Sequence, residues 1–324
     1  MFGAPRVIWE EVVPRIEDGL ADAVVYLYPS EADAIAGIPS GGTGFLVATP
    51  SRQDRIYVIT NANVVADAQF IRVNSCDNSQ PFAIFKGDWK CHEKGDDVAA
   101  CRLSLNPIAH DYQTINAATF LTEQLKTDLD IGLGEDLFMV GRFINHEGKE
   151  RNFPTARFGT IASMPNEPIP IDGYLQDAFL AEIRTIAGYS GSPVFVHIPK
   201  ERLEREGVQA SPRDRDLFRR YGYIEKLLGI EFWRTLDTVS QEYVGTGTFD
   251  VHINTGLSAV IPAWKIEELL IQMERDDTPT PKVRSTGEQT SAKSKRKNRD
   301  VPIPPISRKR FVEALTKATK RKDS

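Results

Sequence analysis

The 324-residue sequence predicts an all-β fold of the sandwich or barrel type. Three observations carry that expectation. Short apolar or alternating runs recur throughout the first four-fifths of the chain. Glycine, proline, asparagine and aspartate separate them at short intervals. Stretches with helical spacing of apolar residues are few and lie near the ends.

Taken in order, residues 7–20 read as a short leading helix interrupted by Pro14, within a lead segment 1–22. Strands are expected at 23–28, 43–48, 56–59, 70–74, 82–85, 98–103, 137–141, 156–162, 178–182, 193–198, 226–232 and 249–254. The run Phe45-Leu46-Val47-Ala48 is apolar throughout, which suits a strand buried on one or both faces. Residues 202–220 are rich in charge and are expected to form a surface insertion between strands. From Pro262 to Leu270 apolar residues return at helical spacing behind a proline, predicting a closing helix over 262–275. A flexible basic linker, 276–306, follows. Ser307 is then placed to cap an amphipathic basic helix in 307–324, whose stripe is Phe311, Ala314, Leu315 and Ala318. A stripe that short is not stable alone, so it is expected to dock on the body or on a protein partner.

Charge is unevenly spread. Residues 282–324 carry 14 basic and 4 acidic side chains, +10, so the net −5 of the chain leaves −15 on residues 1–281. The run Lys293-Ser294-Lys295-Arg296-Lys297-Asn298-Arg299 has no interleaved aromatics, so a solvated linker is expected rather than a nucleic-acid site. Nothing approaches the roughly 18 apolar residues of a membrane span. Residues 1–20 hold Glu10, Glu11, Glu17 and Asp18 without an apolar centre, so no secretory signal is expected. Cys76, Cys91 and Cys101 are odd in number and fit neither a disulfide framework nor a zinc site, which points to a reducing, cytoplasmic location. With no His-Glu-x-x-His, phosphate loop or paired Cys-x-x-Cys, no metal and no cofactor is expected.

The strongest chemical motif is Gly188-Tyr189-Ser190-Gly191-Ser192-Pro193, leading into the apolar run Val194-Phe195-Val196. Glycines on both sides of a serine allow a sharp turn that exposes the hydroxyl. The same turn can aim the N–H groups of Gly188 and Ser190 at one point, where they would stabilise the oxyanion of an acyl-transfer intermediate. Alone, the pattern also fits a plain turn. Three further blocks precede it: Gly41-Gly42-Thr43-Gly44-Phe45, then Ile59-Thr60-Asn61-Ala62-Asn63-Val64-Val65, then Asp97-Val98-Ala99-Ala100-Cys101-Arg102-Leu103. A fourth, Gly256-Leu257-Ser258-Ala259-Val260-Ile261-Pro262, follows.

In this order the blocks resemble the trypsin-like (chymotrypsin-fold) serine peptidases, especially their bacterial intracellular branch, over residues 23–272. The resemblance implies two six-stranded antiparallel β-barrels, about 23–118 and 130–262, closed by the helix 262–275 and together forming a peptidase domain 23–275. The active site would lie between the barrels. Ser190 matches the nucleophile, Asp97 the acid, Gly188 and Ser190 the oxyanion hole, and Arg184 the base of the specificity pocket. Pointing into that pocket, Arg184 would favour an acidic side chain. Pairing with a neighbour such as Glu182 is the expected state, and no specificity is assigned.

The departure is Asn63, which stands where the family has its histidine. Histidine accepts the serine proton and returns it to the leaving group, and an amide has no basic lone pair for either step. The expected protein is therefore a serine peptidase scaffold, inactive or strongly impaired, that binds peptide or protein segments or is a trapped form of an active peptidase. The alternative is an active hydrolase with a non-standard base. Of the five histidines, His92 is the only candidate, five residues before Asp97, although a solvent-exposed loop position suits it better.

Overall fold

The computed structural model describes residues 16, 18–50, 52–77, 80–143, 150–171, 174–205, 207–243 and 247–276. The expected leading helix lies mostly, and the tail helix 307–324 entirely, outside these residues. The chain divides into the units Met1–Leu269 and Leu270–Ser324. Both sheets belong to the first.

The first sheet is built from β1 (Val24–Tyr28), β2 (Gly42–Thr49), β3 (Arg52–Thr60), β4 (Phe70–Ser75), β5 (Phe82–Phe85), β6 (Lys90–Cys91), β7 (Ala99–Leu103), β8 (His110–Asp111) and β9 (Ile115–Asn116). Its path runs β5-β4-β1-β2-β3-β7-β6, with β8 added to β4 and β9 parallel to β2. Every strand from β1 to β4 alternates or runs apolar, and the curled sheet buries Val25, Leu46, Val58, Ile71, Val73, Cys101 and Leu103 on one side. Leu27, Val65, Ala68 and Ala99 form a second cluster. Each of the valine, leucine and isoleucine side chains contributes about 1.5–3 kcal/mol of burial free energy. The end strands β5 and β6 do not pair with each other, so this unit is a curled half-barrel rather than a closed one. The polar link Lys86-Gly87-Asp88 and the two-residue length of β6 leave too little strand to complete the ring.

The second group is β10 (Asp136–Gly141), β11 (Thr155–Ser163), β12 (Ile169–Ile171), β13 (Tyr174–Gln176), β14 (Phe179–Glu182), β15 (Pro193–Pro199), β16 (Tyr223–Tyr243) and β17 (Gly247–Pro262). Six of these close a barrel in the order β10-β11-β14-β17-β16-β15, while β12 and β13 form a separate ribbon. Leu137, Met139, Ile161, Phe179, Ala181, Val194, Val196, Leu228 and Val260 fill its interior. Strands β16 and β17 are far longer than the sequence suggests. Past Arg234 they pair only with each other, through Leu236↔Asn254 to Tyr243↔Gly247. Residues 234–242 are largely polar, which hid this extension from an apolar-run criterion.

The helices are α1 (Asp18–Asp22), α2 (Glu31–Ala36), α3 (Ala62–Asp67), α4 (Glu123–Asp128), α5 (Pro212–Tyr221) and α6 (Ala263–Asp276). Helix α6 starts directly behind Pro262, as the sequence predicts. The segment 202–220 lies between β15 and β16 and is mostly exposed, and it carries a capped helix. Ser211 caps α5 by accepting from the Asp214 N–H, Pro212 opens it, and Gly222 ends it with φ 81°. Its residues Asp214 and Phe218 are buried, and Asp214 pairs with buried Lys226 of β16 at 2.7 Å. Just before it, buried Arg202 pairs with Glu135. The charges that suggested an exposed segment are partly consumed in these pairs. Among the described residues no helix is long and apolar enough to cross a membrane.

Candidate active site

Strand β3 ends at Thr60, and the chain turns into α3 through Asn61, whose backbone is extended (φ −80°, ψ 148°). Asn61 is buried, and its Nδ2 donates to the Asp97 carbonyl at 2.9 Å. Asn63, in the first turn of α3, is exposed, and its backbone N–H donates to Asp97 Oδ1 at 2.8 Å. Two residues before β7, Asp97 is thus aimed at the start of α3. Burial pushes its carboxyl up to about 6, opposed by hydrogen bonds from the Asn63 and Ala62 N–H groups. These donors are main-chain groups, so they hold Asp97 whatever side chain occupies position 63.

The serine turn sits between Gly188 (φ 97°) and Gly191 (φ 92°), in backbone conformations that L side chains rarely adopt. Gly191 could not be otherwise, because a Cβ there would lie 2.0 Å from the Thr43 carbonyl oxygen. The Ser192 N–H donates to the Tyr189 carbonyl at 2.8 Å. In a trans peptide, C=O and N–H point in opposite directions. The Ser190 N–H therefore faces away from that contact. Among the described residues neither the Gly188 nor the Ser190 N–H donates to a protein backbone acceptor. Beyond the serine, Gly191 N–H donates to Glu231 O at 2.9 Å and Glu231 N–H to Ser192 O at 3.0 Å, anchoring the turn to β16. Ser190 is half-buried.

Gly42 brings the two halves together. A Cβ on it would lie 2.8 Å from the Val64 side chain and 3.1 Å from the Ser190 carbonyl oxygen. The residue after Asn63 and the serine turn thus flank the same point. In addition, the Thr43 N–H donates to Ser190 O at 2.9 Å. The structure brings Asn63, Asp97 and Ser190 into one region.

Other candidates fall outside it. His92 is buried, not exposed on a loop. Its Nδ1 lies 2.7 Å from Asp96 Oδ2 and its Nε2 3.3 Å from Glu268 Oε2, so each ring nitrogen faces a carboxylate. Asp96 is also close to Lys265 at 3.5 Å and accepts from Gln176. Burial would raise the Asp96 carboxyl, but the hydrogen bond from His92 and the charge of Lys265 hold it below its ordinary value. Lys265 in turn pairs with Asp177 at 3.0 Å, and Lys94 with Glu268 at 2.9 Å. This network ties the loop before β7 to β13 and to the start of α6. Nothing in the sequence pattern signals it, because its members are far apart along the chain. Arg184 is exposed and, among the described residues, makes no ion pair. The expected pairing with Glu182 is not formed, although both line a shallow concavity with Arg157, Thr160, Thr255 and Gly256. His197 sits on β15, its Nδ1 3.9 Å from Glu225 and its ring against Tyr223.

Residues 42–197 match the family model of the trypsin-like peptidase domain, a span that contains Asn63, Asp97 and Ser190. No curated protein matches the chain. Among solved structures it is similar to the MamO protease domain from Magnetospirillum magneticum in its apo form, at 14% identity and a TM-score of 0.45, covering 78% of this chain and 97% of that one. The HtrA-type protease AlgW with tripeptide shares 16% identity at a TM-score of 0.42, over 78% of this chain and 60% of AlgW, so the chain spans less than two thirds of it. Rv3671c from M. tuberculosis, an inactive mutant form, shares 17% identity at a TM-score of 0.40, over 79% and 89%. Residues 42–197 thus match a trypsin-like peptidase domain, carried on a curled half-barrel sheet and a closed six-stranded barrel.

Proposed function

We propose that this chain is a serine peptidase scaffold whose turnover is strongly impaired by Asn63 and whose cleft binds peptide or protein segments. The observation that carries the proposal is the 2.8 Å hydrogen bond from the Asn63 backbone N–H to Asp97 Oδ1. It supports an acid still aimed at position 63, where a histidine would bridge it to Ser190. In the proposed roles Ser190 is the nucleophile, Asp97 the acid, and Gly188 and Ser190 offer N–H donors to an oxyanion. Asn63 fills the base position without basicity. Loss of one member of such a triad costs on the order of 10⁴–10⁶ in turnover. A base drawn from elsewhere is disfavoured by the engagement of His92 with Asp96 and Glu268. The free state of Cys76, Cys91 and Cys101 supports a reducing, cytoplasmic setting.

Hydrolysis of a fluorogenic peptide library tests the proposal. The parent protein is expected to show no turnover above a Ser190→Ala control, and Asn63→His to exceed the parent by at least about 10³-fold. Equal turnover by the parent and Asn63→His would sink it.

A further inference from the structure

The two glycines that let the serine turn form also leave it free to rearrange, since glycine populates positive and negative φ about equally. Something must hold it. Thr43, fully buried on β2 of the first sheet, makes four hydrogen bonds toward that end. Its N–H donates to the Ser190 carbonyl at 2.9 Å. Its Oγ1 donates to the Gly188 carbonyl at 2.6 Å and accepts from the Arg142 N–H at 3.1 Å. Its carbonyl accepts from Thr60 Oγ1 at 2.6 Å. A hydroxyl has one proton. The N–H of Arg142 fills an acceptor lobe, so the proton goes to Gly188 O.

The consequence for the turn follows plane by plane. The Gly188 carbonyl fixes the 188–189 peptide, and the Ser190 carbonyl fixes the 190–191 peptide. Between them the 189–190 peptide is held by Ser192, at 2.8 Å from the Tyr189 carbonyl. Thr43 thus holds two of the three successive planes around the serine across 145 residues of sequence, the 190–191 plane jointly with Glu231 O, which accepts from the Gly191 N–H at 2.9 Å. Thr60 fixes Thr43 from β3, and Arg142, fully buried at the end of β10, fixes the hydroxyl from the barrel.

We propose that Thr43 is a positioning residue: its hydroxyl, on the Gly188 carbonyl, completes the hold that its backbone N–H has on the Ser190 carbonyl, and the two together fix from the opposite sheet where the Ser190 N–H and hydroxyl point. For catalysis the inference rests on the peptidase reading, but the conformational claim does not. Valine at 43 keeps the shape and removes the two hydrogen bonds of the hydroxyl, to Gly188 O and from the Arg142 N–H, while leaving the backbone bonds in place, whereas serine keeps the hydroxyl.

The test uses Thr43→Val and Thr43→Ser in the parent and in Asn63→His, with Thr43→Ala in reserve should the valine variant not fold. Backbone amide resonances of Tyr189, Ser190 and Gly191 are expected to shift or broaden in Thr43→Val while those of the barrel strands stay in place. Thr43→Ser is expected to restore them. In the Asn63→His background, fluorophosphonate labelling should slow about 10²-fold with valine, the scale of a misplaced catalytic group, and stay within a few-fold with serine. A folded Thr43→Val, or Thr43→Ala in its place, with unchanged turn resonances would overturn the proposal, as would unchanged labelling. If Asn63→His alone does not label, the peptidase reading falls, and the amide resonances still decide the role of Thr43.

Discussion

Replacing Asp97 with asparagine should make the protein more stable at pH 8 and flatten the upper part of its stability profile. Burial holds the Asp97 carboxyl at about 6 against an ordinary value of 3.8. An acid raised in the folded state contributes stability that is fully present below pH 3.8 and lost as pH rises through 6. A difference of about two pH units corresponds to about 3 kcal/mol. Asparagine at 97 removes that penalty. Its carbonyl can still accept the Asn63 N–H, now at 2.8 Å from Oδ1, but the Ala62 N–H must share the same oxygen. Leaving one donor poorly served costs about 1 kcal/mol or more, so a net gain of about 1–2 kcal/mol at pH 8 is expected. Urea denaturation of parent and Asp97→Asn between pH 4 and 8 measures it. The advantage of the variant should shrink as pH falls from 6 toward 3.8 and then reverse, leaving it about 1 kcal/mol less stable than the parent. A variant less stable than the parent at pH 8, with an unchanged slope between pH 5 and 7, would refute the reasoning.

Two further outcomes test the geometry. Gly191→Ala places a Cβ 2.0 Å from Thr43 O and 2.5 Å from Thr60 Oγ1 in a backbone with φ 92°. It should cost about 2–5 kcal/mol in urea denaturation, from left-handed strain plus overpacking. His92→Ala should leave labelling of Ser190 in the Asn63→His background undiminished while lowering stability by about 1–3 kcal/mol, since Asp96 and Glu268 lose a shared partner. Asp96 and Glu268 are held below their ordinary values, so their contribution is present above the unfolded values and lost as pH falls. The variant should therefore lose less stability on acidification. Labelling that vanished with His92 would show that the ring serves the serine after all.

How much of this was legible in the sequence depends on range. The barrel strands announce themselves because each is a local apolar run, as in Phe45 to Ala48 or Val194 to Val196. The site blocks are legible for a similar reason: the glycines around Ser190 and Thr43 are demanded by the turn itself. What escaped depends on partners distant in sequence. Asp96 and Asp97 are adjacent and chemically identical, yet one faces His92 and Lys265 and the other the start of α3. The Asp97-Val98-Ala99 block marks Asp97 as the acid, but the partners of Asp96 come only with the fold. Helix α5 was hidden by its charges, since Asp214 looks solvated until Lys226 of β16 is brought to it. The half-open first sheet also follows from pairing that no local pattern encodes, because β6 is two residues long and borrows its order from β7. Arg184 illustrates the converse: closeness to Glu182 in sequence suggested a pair, but Glu182 ends β14 and Arg184 lies two residues beyond it, without an ion pair between them among the described residues.

The central claim is that Asn63 is the one lesion in an otherwise assembled serine peptidase site. Labelling with a fluorophosphonate probe, located by peptide mass spectrometry, tests it most directly on the parent, Asn63→His and Asn63→His/Ser190→Ala. The account predicts labelling of Asn63→His alone, at Ser190. A folded Asn63→His that stays unlabelled, or a parent labelled just as fast at Ser190, would contradict it.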